Sequence, residues 1–126
     1  MSSASAISTE RLTALFLELV RIDSHSRKEL AVAERLEREL RALGAEIWYD
    51  DAGTQVGGNV GNLLAHVRGT VTAEPLLLAA HMDTVVPGEG VKPIIEGDVI
   101  RSDGTTVLGG VVFVASGARL PRLRRA

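Results

Sequence analysis

Apolar residues recur at Leu12, Leu15, Phe16, Leu19 and Val20, the i, i+3, i+4, i+7, i+8 spacing of one helical face, and Ser8 stands where a cap belongs. The pattern breaks at Ile22-Asp23-Ser24-His25. A second helical stripe, Leu30, Ala33, Leu36, Leu40 and Leu43, follows Ser26-Arg27-Lys28-Glu29, which has the form of a capping box. Glu34 with Arg38 and Glu37 with Arg41 are i,i+4 pairs on its outer face, and Gly44 supplies the stop. Helices are thus expected over 9–22 and 27–43. Ala45 to Tyr49 is short and β-prone, and Asp50-Asp51-Ala52-Gly53 bounds it as a turn. Gly57-Gly58-Asn59 reads as a flexible loop, Asn62 to Arg68 as a second strand, and Gly69 ends it. Leu76-Leu77-Leu78-Ala79-Ala80 is an unbroken apolar run, the mark of a strand buried on both faces. Ile94-Ile95-Glu96 and Val99-Ile100-Arg101 flank Gly97-Asp98 as a hairpin.

Composition narrows the class without naming it. The chain has 126 residues, enough for one domain with a core and too few for two. Its 45% hydrophobic and 24% charged content is that of a globular protein, and a net charge of -2 gives no electrostatic case for nucleic acid or membrane. Absence of cysteine excludes disulfides and thiolate metal sites. The first residues lack a basic region followed by an apolar one, and no apolar run approaches ~18 residues, so a cytoplasmic location is expected.

Candidate chemistry gathers where the apolar run ends. His81 and Asp83 follow it at i and i+2, and ligands of open α/β sheets collect beyond the carboxyl ends of strands. Neutral imidazole is the commonest metal ligand, and a carboxylate two residues on can turn back to fix its tautomer. Alone, the pair is a weak signal; a structural histidine beside a turn aspartate is the competing interpretation. His66 sits within a strand pattern and reads as half-exposed, and His25 reads as a solvated loop residue. Gly57-Gly58-Asn59-Val60-Gly61 lacks the Gly-Lys-Ser/Thr of a phosphate loop.

At His81-Met82-Asp83-Thr84-Val85-Val86-Pro87-Gly88 the chain resembles the co-catalytic zinc peptidases and amidohydrolases, among them peptidase T-like enzymes, glutamate carboxypeptidases and aminoacylases. Phe16 to Ser24, Gly58 to Leu63, Gly90 to Ile95 and Ser102 to Gly109 fit the peptidase T-like branch in the same order, so the resemblance covers residues 9 to 110. It implies an α/β catalytic domain on a largely parallel sheet flanked by helices. It also implies two divalent metals, zinc with cobalt or manganese as options, and a short peptide or N-acyl amino acid as substrate. By the same resemblance His81 is a metal ligand and Asp83 the catalytic-site carboxylate that orients it. Dimerisation, common in such families, runs through a further domain. No substrate-binding residue can be assigned.

The resemblance stops after Gly110. An Asp-Asp-Lys whose first Asp bridges the metals is expected next, yet positions 111 to 113 are Val111, Val112 and Phe113. Asp103, in a Ser-Asp-Gly turn, is the last carboxylate side chain, while Arg119, Arg122, Arg124 and Arg125 crowd the end. Three segments are therefore expected: a disordered 1–8, the N-terminal part of a catalytic domain over 9–110, and an atypical basic tail over 111–126. The expected function is hydrolysis of peptide or amide bonds, with this chain a truncated and inactive form of the enzyme. A non-catalytic binding module that kept the scaffold is the alternative.

Overall fold

In the computed structural model, which describes residues 7–109 and the strand 113–115, the two predicted helices form with shortened ends. Helix α1 runs Thr9–Val20, and the Ser8 hydroxyl accepts the Arg11 N–H at 3.2 Å, the cap that the sequence predicts. Helix α2 runs Leu30–Ala42 and is followed by Gly44 at φ +80°, the left-handed residue that lets the chain turn away. Arg35 joins the two helices: its guanidinium meets Glu18 of α1 at 2.7 Å and Glu39 of α2 at 3.3 Å. Arg11 also pairs with Glu39. Of the two predicted i,i+4 pairs, Glu37–Arg41 closes at 2.7 Å, while Glu34 and Arg38 form no ion pair in the described structure.

The capping box does not form. Helix α2 begins at Leu30, three residues later than the box requires, and Glu29 turns back to accept the Arg27 N–H at 2.9 Å. The first N–H of the helix goes to the Asn59 side chain at 3.1 Å, a partner 29 residues away. Ser26 is left for another contact.

Strand β1 (Glu46–Tyr49) pairs antiparallel with β2 (Leu63–His66), with Glu46 opposite His66 and Tyr49 opposite Leu63. Helix α2 packs against both strands, and the Tyr49 hydroxyl donates to Glu37 of α2 at 2.7 Å. Burial, followed by that bond to a carboxylate, pushes the Tyr49 hydroxyl up to about 12. Between the strands lies the short helix α3 (Ala52–Val56). Strand β3 (Leu78–Ala80) pairs antiparallel with β6 (Phe113–Ala115). Strands β4 (Pro93–Glu96) and β5 (Val99–Ser102) form the predicted hairpin, with Gly97 at φ +62° in its two-residue turn.

A largely parallel sheet is not seen among the described residues. The described strands form three two-stranded sheets, each antiparallel, and the one parallel pairing among the described residues is an isolated bridge between His25 and Thr84. Parallel neighbours need a crossover of a dozen or more residues. The β4–β5 connection is two residues long and permits only a hairpin. The expectation that the 76–80 run is buried on both faces also fails. The strand begins at Leu78, and Leu76 and Leu78 are 72% and 61% exposed. An apolar run reports that a strand can be covered, not that a layer is present to cover it. Burial concentrates instead around Val20, Val32, Ala33, Ala45 and Val91, where the helices meet the segments that follow them. No helix of the described residues is long and apolar enough to cross a membrane. Residues 1–6, 110–112 and 116–126, on which most of the expected disordered 1–8 and of the basic tail fall, lie outside the described residues.

Candidate functional site

Strand β3 ends at Ala80, and the backbone leaves the sheet through His81, Met82 and Asp83. His81 Nδ1 faces Asp83 Oδ1 at 3.4 Å, so the carboxylate returns to the ring as the i, i+2 spacing predicts. The imidazole side chain is 78% exposed and that of Asp83 36%, at the mouth of a cleft of about 570 Å³ bordered by Ser26, Gly58 and Asn62. With Nδ1 turned to the carboxylate, Nε2 is left for a ligand, the arrangement in which a carboxylate fixes a metal-binding histidine. Among the described residues no third His, Asp or Glu gathers with this pair into a metal-binding group. The donor chemistry fits one ligand and its orienting partner.

A segment 58 residues upstream holds this turn in place. The Ser24 hydroxyl donates to the Met82 carbonyl, and Ser24 is 1% exposed, the most buried polar residue described. The Ser24 carbonyl accepts the Thr84 N–H at 2.8 Å and the Thr84 hydroxyl at 3.3 Å. His25 and Thr84 form the parallel bridge between the two segments. The Ser26 hydroxyl donates to Asp83 Oδ2 at 2.5 Å. Further along, Asp23 accepts the Gly90 N–H at 2.7 Å. His25 is corrected from a solvated loop residue: its side chain is 22% exposed, and Nδ1 lies 3.1 Å from Glu89, away from His81 in the neighbouring cleft. His66 stays apart from the site, exposed at the end of β2.

The glycine-rich loop at the floor of the cleft is held rather than loose. Asp50 accepts the Asn62 N–H at 2.7 Å, the Asn62 side-chain amide at 2.8 Å and the Ala52 N–H at 3.1 Å. Those bonds, that of the Asn62 side chain foremost, hold its carboxyl below the usual carboxylate range. A Cβ on Gly61 would stand 2.0 Å from the Asp50 carbonyl oxygen, and one on Gly53 2.1 Å from that of Val60. Only glycine allows these backbones so close. Asn59, besides capping α2, donates its own N–H to the Arg27 carbonyl at 3.1 Å. Asp103 accepts from Thr105 at 2.9 Å and 2.5 Å, a turn residue as the sequence suggests.

The sequence marks Ser26 as a helix cap, Asp50 as a turn residue and Asn59 as a loop residue, and gives none of them, nor Ser24, a place at the site. Their partners lie between 12 and 58 residues away, which no local periodicity reports. The faint available signal is that Ser24 and Ser26 fall where the helical pattern breaks.

Two solved structures share this fold. A tripeptidase from Staphylococcus aureus superposes with a TM-score of 0.73 at 41% identity, over 78% of this chain and 26% of that one. Aminopeptidase PepT from Bacillus cereus gives 0.71 at 38% identity, over 80% of this chain and 27% of its own. The uncharacterised protein YqjE of Bacillus subtilis (strain 168) is 41% identical over 103 residues, which is 82% of this chain and 28% of YqjE. No family model matches. The chain is therefore akin to peptidases and matches a fragment of a peptidase domain; it spans about a quarter of the length of these relatives.

Proposed function

We propose that this chain carries part of the catalytic site of a metal-dependent peptidase acting on short peptides, with His81 as a metal ligand and Asp83 as the carboxylate that orients it. The observation that carries the reading is the 3.4 Å approach of Asp83 Oδ1 to His81 Nδ1 at the open end of β3. The names of the two structural relatives, a tripeptidase and an aminopeptidase, point to peptide substrates. A bound divalent ion, zinc or alternatively cobalt or manganese, would supply Lewis acidity and lower the pKa of a bound water. The chain's own residues prepare for it. Asp83, 3.4 Å from Nδ1, would accept that N–H and favour the tautomer in which Nε2 offers a lone pair. The cleft floor, held by Asp50 and closed by Gly53 and Gly61, gives an extended substrate a shaped wall.

One imidazole is not a catalytic site. Zinc sites in proteins use three or four protein ligands, and among the described residues no group of three or more His, Asp or Glu side chains is gathered to hold one. The 126-residue chain by itself is therefore inactive in this reading. The test is a hydrolysis screen of the purified chain on tripeptides and N-acyl amino acids, with zinc, cobalt or manganese added and with a chelator. No turnover is expected. Turnover that the chelator abolishes would show that ligands from elsewhere, such as a second copy, complete the site. Peptide binding without turnover and indifferent to metal would favour the non-catalytic module.

A further inference from the structure

We propose that Ser26 is a positioning residue for the Asp83–His81 pair, an assignment that rests on the roles given to those two residues above. The 3.4 Å contact between Asp83 and His81 is longer than the ~2.7–2.9 Å of a strong charge-assisted bond, and it cannot by itself hold a carboxylate that is one-third exposed. The second oxygen is held much more tightly. Ser26 donates to Oδ2 at 2.5 Å, so the carboxylate is tethered at one end and presents the other to the ring.

The position of Ser26 is itself determined from both sides. Upstream, Ser24 and His25 are bound to Met82 and Thr84, the residues that bracket Asp83. Downstream, Arg27 adopts φ +72°, a left-handed conformation that is strained for a non-glycine residue. It is kept there by its N–H on Glu29 and its carbonyl on Asn59. Strain of this kind persists only where the surroundings over-determine it. The turn at Arg27 keeps Ser26 out of the helix cap that its sequence context favours, and Asn59 serves Leu30 in its place. A hydroxyl with a ready local use is thus directed to a carboxylate 57 residues away.

The experiment uses the whole 126-residue chain. The α–β proton couplings of Asp83 are measured by NMR in wild type, Ser26→Ala and Ser26→Thr, and each variant is then titrated with Zn²⁺. One fixed Asp83 rotamer is expected in wild type and Ser26→Thr, with averaging in Ser26→Ala. Zn²⁺ affinity at His81 should fall ~10-fold in Ser26→Ala, the low end for loss of an outer partner, and recover in Ser26→Thr. An Asp83 rotamer unchanged by Ser26→Ala, or already averaged in wild type, would overturn the assignment; the wild-type couplings decide even if Ser26→Ala fails to fold. If Zn²⁺ leaves His81 unperturbed in every variant, the metal reading falls, and the couplings still decide the role of Ser26.

Discussion

Asp50 shows how much one side chain can organise here, since its carboxylate joins the end of β1, the start of α3 and the Asn62 backbone. Its folded-state pKa lies below the ordinary 3.8, so its contribution to stability is whole above that value and is lost as pH falls from there through the lowered one. Asp50→Asn should lower the melting temperature by several degrees at neutral pH, and the gap from wild type should narrow in acid below pH 3.8, read by circular dichroism. A constant gap across that range would mean that the charge is irrelevant. Gly61→Ala places a methyl 2.0 Å from a backbone oxygen and should cost about 3 kcal/mol by urea denaturation. Arg27→Gly, by contrast, relieves the left-handed strain. It should leave stability unchanged or raise it by up to about 1 kcal/mol, once glycine's greater freedom in the unfolded chain is subtracted.

The elements differ in how far their sequences announce them. Helix α1, the hairpin of β4 and β5, and strand β1 were legible because caps, turn residues and periodicity are local signals. The start of α2 was misread because the deciding partner, Asn59, is remote. Strand β3 was read correctly as a strand and wrongly as buried, since covering layers are not encoded in the covered segment. Substitutions separate these cases. Val32→Asp, at a position 2% exposed on α2, should unfold the helix–sheet layer through an unpaired buried charge. Leu78→Asp, at 61% exposure on β3, should change stability by no more than about 0.5 kcal/mol. Both are read by Trp48 fluorescence in denaturant, and a large loss from Leu78→Asp would show that β3 is packed in solution.

On the scale of the molecule, the nearness of His81 to Asp83 is legible in the sequence and the support of the pair is not. His81 and Asp83 stand two apart, and the return of the carboxylate to the ring follows from that spacing. The serine-bearing segment that grips them had to be seen in three dimensions. Leu76, Leu78, Val85, Val86, Ile95 and Val99 are all more than half exposed. That apolar surface is expected to make the chain bind hydrophobic dyes and self-associate as concentration rises in sedimentation, and Leu76→Lys with Leu78→Lys should reduce both. A strictly monomeric, dye-silent chain would count against it. The proposed metal role of His81, alone among the three histidines, can be read from long-range ¹H–¹⁵N spectra of the imidazole rings during a Zn²⁺ titration. Nε2 of His81 is expected to shift under weak, fast-exchanging binding while His25 and His66 stay still. Zn²⁺-dependent shifts at His25 or His66 with His81 unmoved would contradict it.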